Sequence, residues 1–331
     1  MGGGEWLTDV YAERERLRAA TGKSAFDYDA TMRRLSHDRW VVHPTLDPKG
    51  IRFRESRDSD EHSESVAIAV KLDVTGSMGS VIHTLHGKMP ELNGLLVRKD
   101  YVKHPQIMFA AVGDATCDRI PLQVGQFESD NRMDENLENL IIEGGGGGQM
   151  TESYELGMYF IARHTDIDCW NMRRHKGYLF MIGDEMAYDR VKGREVHQII
   201  GDSLTEDIPT AKIVLEVKKR YEPFYILPTG ASHGGDREVL GFWRRLLGQN
   251  VLELDDPEAV CETIAWQIGL NEGTTDLDAG EKDLADFGAS KGAIAAAKRA
   301  LITRNKSLVR GTISLPGLRV EDTGEPKTKR L

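Results

Sequence analysis

Ser65-Val66-Ala67-Ile68-Ala69-Val70-Lys71-Leu72, running into Asp73-Val74-Thr75-Gly76-Ser77-Met78, decides how this chain is read. The first eight residues are a near-continuous apolar run of strand length, the pattern of a strand covered on both faces. The next six set one carboxylate and two hydroxyls at alternate positions, where a buried strand spills into a loop. Hard divalent cations such as Mg²⁺ take oxygen ligands in octahedral array and usually keep some water. A turn carrying Asp73, Thr75 and Ser77 can point three oxygens at one such ion.

Outward from this stretch, strand-like and helix-like segments alternate. Residues 106–112 predict a second buried strand ending at Gly113-Asp114, and 177–182 a third ending at Gly183-Asp184-Glu185. Further strands are expected at 223–227 and 251–254, with a short edge strand at 122–127. Helical spacing covers 81–97, 135–142, 151–164, 210–220, 237–247 and 257–268, with Thr151 and Glu152 suited to a first helical turn. The alternation predicts an α/β fold, a doubly wound parallel sheet with helices on both faces. Ligands of such sheets sit outside the carboxyl ends of the strands, where Asp73, Asp114 and Asp184 all fall.

The flanks read differently. Residues 1–64 are polar, with one helix near 7–20 and a charged linker at 52–64. After a central domain at 65–269, residues 270–331 read as an acidic linker (271–286), an Ala-rich lone helix (290–302) and a disordered tail (316–331).

The chain of 331 residues has a net charge of −10, which opposes a generic nucleic-acid or anionic-membrane binder. Cys117, Cys169 and Cys261 form no close pair and no zinc spacing, a usage that suits a reducing cytosol. The N-terminus lacks a secretory pattern, and no apolar run approaches the roughly 20 residues of a membrane helix. The expectation is a cytoplasmic protein with no membrane partner.

At the expected rim, Asp73, Thr75, Ser77, Thr151 and Asp184 would offer two carboxylates and three hydroxyls. Two negative charges suit a divalent ion, and neutral hydroxyls leave it electrophilic toward one more anionic ligand. In chain order these residues resemble the von Willebrand factor A domain family with its metal-ion-dependent adhesion site. The family pattern is Asp-x-Ser-x-Ser on one loop, Thr on a second and Asp on a third. Here Thr75 replaces Ser and keeps the hydroxyl; five glycines, Gly144 to Gly148, lead through Gln149-Met150 to Thr151 in place of Gly-Gly-Thr, so Gln149 and Ser153 stand as alternatives to Thr151. Asp114 and Glu185 are expected beside the site. The resemblance spans residues 65–268 and implies a mostly parallel sheet with one antiparallel edge, which 122–127 would supply. It also implies protein binding in place of catalysis, Mg²⁺ or Mn²⁺ as the ion, and a partner protein giving an Asp or Glu to it. An adaptor role in a multi-protein assembly follows, as intracellular members often work with AAA+ ATPases.

Asp73-Val74-Thr75-Gly76-Ser77 also echoes the Asp-x-Thr-Gly-Thr loop of P-type ATPases in the haloacid dehalogenase superfamily, where a strand-end Asp is the covalent nucleophile beside Mg²⁺. Asp184 and Asp189 would then be its late acidic motif and Lys176 its charge-neutralising lysine. Ser77-Met78 directly after Gly76, a helix following at once, and the glycine run ending at Thr151 favour the binding module. A plainer origin for Asp-x-Thr-x-Ser is a capped helix start. His83 and His86 read as partly exposed helix histidines, and His233 as part of a turn. Lys212, Lys218, Lys219, Arg220, Arg244 and Arg245 read as solvated helix faces, with Phe242 and Trp243 toward the core.

Overall fold

A computed structural model describes residues 4–88, 92–145 and 150–310; the side chains of Ser77, Ser80 and residues 304–310 lie outside that description. Its centre is a six-stranded sheet of β1 (Val66–Asp73), β2 (Pro105–Val112), β3 (Leu122–Val124), β4 (Gly177–Ile182), β5 (Tyr221–Pro228) and β6 (Val251–Leu254). The spatial order is β6-β5-β4-β1-β2-β3. Neighbours are parallel except β3, which runs antiparallel to β2 at the edge. The order reverses beside β1, so the loops leaving β1 and β4 diverge there and open a crevice at the carboxyl ends.

All eight residues of β1 are buried, because both faces are covered. Ile68, Val70 and Leu72 enter one apolar core with the helices Gly79–Gly87, Val260–Glu272 and Lys291–Arg310. Ala67 and Ala69 enter the other, with the helices Tyr154–Arg163, Thr210–Arg220 and Arg237–Leu247. Strand alternation puts Lys71 and Asp73 on that second face.

Several elements differ from their sequence expectation. The helix expected over 81–97 ends at Gly87, and a π-helical turn occupies Gly94–Arg98. The helix expected at 135–142 runs instead over Arg132–Glu138. Beyond it the chain is no longer helical, and its backbone bonds to side chains: Ile141 N–H donates to Gln123 Oε1 and Ile142 N–H to Asp29 Oδ1. Thr151 and Glu152 do not open a helix; they form a two-residue strand beside Met186–Ala187, and the helix starts at Tyr154. His86 is buried under Phe26 and Tyr11, while His83 is exposed.

The polar N-terminal stretch is woven into the domain. The helix Thr8–Thr21 brings Tyr11 against His86, and its hydroxyl donates to the His86 carbonyl. Leu46 is buried in the first core, and its carbonyl accepts from Val124 N–H on the edge strand. Met32 and Trp40 pack with Ile120 and Ile141 in a third, smaller cluster.

Toward the C-terminus, the stretch expected as an acidic linker contains the helix Leu277–Asp286. Gly273, in the left-handed region, ends the preceding helix, and the Asp276 side chain then caps the next by accepting from Asp278 and Ala279 N–H. The Ala-rich helix is not alone: Ala293, Ala296, Ala297, Ala300 and Leu301 are buried in the first core. The expected tail at 316–331 lies outside the described residues.

Gly280 faces Trp266 so closely that a Cβ there would lie 2.0 Å from the indole nitrogen. Gly280→Ala should therefore cost about 1–3 kcal/mol through overpacking, read as a lower urea midpoint with unchanged slope. A neutral substitution would mean that the helix Leu277–Asp286 is not docked there.

Candidate functional site at the carboxyl ends of the strands

Asp73 is the last residue of β1 and is fully buried. One carboxylate oxygen accepts from Thr75 N–H at 2.9 Å and from the Thr75 hydroxyl at 2.6 Å. The other accepts from the Tyr154 hydroxyl at 2.6 Å. A hydroxyl that gives its proton to Asp73 presents oxygen lone pairs to whatever else it meets, as a cation ligand must. Tyr154 reaches Asp73 only because residue 183 is glycine: a Cβ there would lie 1.8 Å from the phenol oxygen. The tyrosine ring is itself fixed edge-on against Tyr225 and Trp243, whose polar atoms both donate to the Glu185 carbonyl.

Asp184 follows β4 by two residues, and β4 pairs with β1 at Leu72 and Ile182. It is fully buried and accepts from His233 N–H at 2.9 Å. Burial, then the nearby Asp184 charge, push the Asp73 carboxyl up to about 6 against the pull of Thr75 and Tyr154. Asp73, Thr75 and Asp184 are thus brought together. Thr151, partly exposed, sits on the adjoining ladder opposite Met186 and meets the Tyr188 hydroxyl. Ser77 lies in the tight turn Gly76–Met78, its side chain outside the description, as is the whole of Gln149. Ser153, the other alternative to Thr151, uses its hydroxyl oxygen elsewhere, accepting from Ala115 N–H at 2.9 Å. Among the described residues no three His, Cys, Asp or Glu side chains are already gathered around one point.

The described start of the glycine run leans on the first loop. Gly144 N–H donates to the Val74 carbonyl at 3.1 Å and Gly76 N–H to the Gly145 carbonyl at 3.2 Å. From behind, the Arg33 guanidinium donates to the Ile142 carbonyl while pairing with Asp29 at 2.7 Å. The N-terminal stretch therefore braces the loop that leads into the site.

Two acids that the sequence reading did not place at the rim, Asp118 and Glu152, join Asp114 and Glu185. Asp114 is fully buried and accepts from Thr116 and from the Tyr188 hydroxyl. Asp118 accepts from Asp114 N–H at 2.7 Å. Glu152, assigned to a helical turn by its spacing, is buried instead, and burial followed by the charges of Asp73, Glu185, Asp114 and Asp118 pushes it up to about 10. Glu185, hydrogen-bonded to Glu152, is pushed up to about 7 by burial and by Asp73 and Asp184. One oxygen of each of these two glutamates has no hydrogen-bond partner.

Lys71 was hidden inside an apolar run, although a lysine in a strand covered on both faces is itself a signal of a buried polar group. Its ammonium donates to the Tyr154 carbonyl at 2.8 Å, and burial pushes it down to about 7. Lys176 is no rival for that place. It precedes β4 at the amino end, pairs with Glu222 at 3.6 Å, and is separated from the Asp73 rim by six strand residues, about 20 Å. Asp189 is exposed, and His233 has its ring 3.7 Å from Glu185. Trp243 is in the core as expected, and Arg220 and Lys218 are spent on backbone carbonyls instead of facing water.

No family model matches the chain, and no curated protein matches it. Among solved structures it is similar to the pilus adhesin SpaC of Lactobacillus rhamnosus GG in its open conformation, with a TM-score of 0.43 and 9% identity over 65% of this chain and 31% of that one. It is similar as well to proximal thread matrix protein 1 from the mussel byssus, with a TM-score of 0.37 and 10% identity over 68% of this chain and 46% of that one. The chain thus spans less than half the length of either, and likeness at this level carries no argument about function.

Two outcomes are expected here. In metal-free buffer stability should fall as pH rises from about 4 to 7, because carboxyls raised in the folded state (Asp73 from 3.8 to about 6, Glu185 from 4.5 to about 7) hold protons that the unfolded chain releases. Thermal melts across that range check this, and a melting point rising with pH would contradict it. Tyr154→Phe should lower stability by about 1.5–3 kcal/mol, the typical range for a hydrogen bond to a charged group, measured by urea unfolding.

Proposed function

We propose that the chain is a protein-binding module of the metal-ion-dependent adhesion type, whose Asp73, Thr75, Ser77, Thr151 and Asp184 hold a hard divalent cation. Two fully buried carboxylates, Asp73 and Asp184, at the carboxyl ends of paired strands carry the proposal. Buried carboxylates are commonly paired or coordinate a metal, and an oxygen-only donor set of carboxylates and hydroxyls suits Mg²⁺ or Mn²⁺. When bound, the cation would supply an electrophilic point for an Asp or Glu of a partner protein. Thr75 keeps the Asp73 carboxylate oriented, and Tyr154 fixes its far oxygen. The antiparallel edge strand β3 and the order of the sheet agree with the von Willebrand factor A resemblance. An adaptor role in a multi-protein assembly, including one with an AAA+ ATPase, is part of this proposal.

The phosphoryl-transfer alternative asks Asp73 to present an oxygen for attack on phosphorus. Both of its oxygens already accept hydrogen bonds in a fully buried position, and Lys176 is at the far end of the sheet. That arrangement favours binding over covalent catalysis.

Calorimetric titration of the EDTA-treated protein with Mg²⁺ should show saturable uptake that Asp73→Ala with Ser77→Ala abolishes while the fold persists. The same double variant should lose Mg²⁺-dependent capture of its partner from a lysate of the native host. Capture that survives EDTA, or acetyl phosphate labelling of Asp73, would count against the binding module.

A further inference from the structure

The stretch from Ile142 to Gly145 lies between the N-terminal residues and the loop that carries Thr75 and Ser77, and it is held from both sides. On one side, Asp29 and Arg33 sit at the end of the helix Asp27–Met32 and pair with each other at 2.7 Å. Their i, i+4 spacing puts both side chains on one helix face. Together they take both peptide groups of one residue. Asp29 Oδ1 accepts from Ile142 N–H at 3.1 Å, and the Arg33 guanidinium donates to the Ile142 carbonyl. One more such step along the chain, the His37 ring meets Glu143 Oε2 at 2.8 Å, while Glu143 Oε1 accepts from Ile120 N–H at 2.6 Å.

On the other side, the next two residues bond to the first loop. Gly144 N–H donates to the Val74 carbonyl at 3.1 Å, and Gly76 N–H donates to the Gly145 carbonyl at 3.2 Å. The two backbones touch there, because a Cβ on Gly76 would lie 3.0 Å from the Gly144 carbonyl oxygen. A displacement of Gly144 is therefore passed to Gly76, the residue between Thr75 and Ser77. An ion pair open to water contributes little by itself, so the mutual attraction of Asp29 and Arg33 does not explain their arrangement. What they do is fix the backbone of Ile142, which lies in no strand and would otherwise lack partners of this kind. Donors of a binding site must be held to within about 0.5 Å, and this chain of contacts ends at two of them.

We propose that Asp29, Arg33 and His37 are positioning residues for the cation site: through Ile142 to Gly145 they set where the Thr75 and Ser77 loop stands, without touching the ion. This inference rests on the adhesion-type site proposed above and adds control of that site by the N-terminal stretch. Linkage makes the effect reciprocal, so a bound cation tightens the hold of residues 29–37 as much as that hold tightens the cation. The N-terminal stretch is then a place from which cation binding can be turned down.

Asp29→Ala with Arg33→Ala removes the pair together, so that neither is left as a lone charge, and calorimetric titration of the EDTA-treated variant with Mg²⁺ reads the result. Affinity should fall by about tenfold or more, the lower end for loss of an outer partner of a metal ligand, with the circular dichroism spectrum unchanged. Gly280→Ala, which is destabilising but touches none of these residues, should leave the affinity where it was, separating positioning from general loss of stability. A second measurement needs no variant. Mg²⁺ should slow hydrogen exchange at the wild-type Arg33 and Ile142 amides, which bond to the Asp29 carbonyl and carboxylate, and leave the Phe287 amide unchanged. Equal Mg²⁺ affinity in the paired variant and the wild type would overturn the inference and leave the proposed function standing. Exchange at Ile142 that ignores Mg²⁺ would do the same. No Mg²⁺ uptake by the wild type would sink both. If the paired variant does not fold, the exchange measurement decides alone.

Discussion

Burial of the Asp73 carboxylate at the tip of the central strand is the constraint around which the rest is arranged. A carboxylate removed from water needs donors on both oxygens, and three are supplied: Thr75 N–H, the Thr75 hydroxyl and the Tyr154 hydroxyl. Tyr154 can serve only if its ring is held, and Tyr225 and Trp243 hold it. The ring's approach in turn requires a residue without a side chain at 183. One buried charge thus dictates residues on five separate segments.

The same face explains the buried lysine. Lys71 is one strand alternation below Asp73, and its ammonium reaches the carbonyl of the very tyrosine that binds Asp73. Glu155, buried beside it and pushed up to about 8 by that burial, completes an arrangement of opposite groups beneath the rim. Removing either member of such a pair would leave an uncompensated polar group in the apolar core, which is far costlier than replacing both. Rigidity at the strand ends therefore has roots two residues deep in the sheet.

The sheet was legible in the sequence because its strands are buried on both faces and read as unbroken apolar runs; β1, β2 and β4 match to within a residue. Asp73, Asp114 and Asp184 were legible because strand ends are marked by the loss of that apolarity. What failed had physical causes. Thr151 and Glu152 lie before an apolar helix and imitate its first turn, yet pairing with Met186 and Ala187 overrides local propensity. The acidic stretch 271–286 imitates a linker because its charges face water, while Leu284 and Gly280 pack inward. Residues 1–64 look detached because their few apolar side chains, Tyr11, Phe26, Met32, Trp40 and Leu46, are scattered, and only in three dimensions do they find seats. Asp118 and Glu152 were missed for a different reason: charge crowding is a property of converging segments, and nothing local in the chain reports it.

One modest contact has a wider consequence. Leu46 offers its carbonyl to Val124 on the outermost strand, and the Arg54 guanidinium takes the Val124 carbonyl at 2.7 Å. An exposed strand flank is a standing invitation for another polypeptide to extend the ladder, whether as ligand or as aggregate. Here the chain's own leading segment answers that invitation at Val124. Recruitment by strand addition is blocked at that position, and a shortened version lacking the leading segment would gain a sticky margin that the intact molecule does not have.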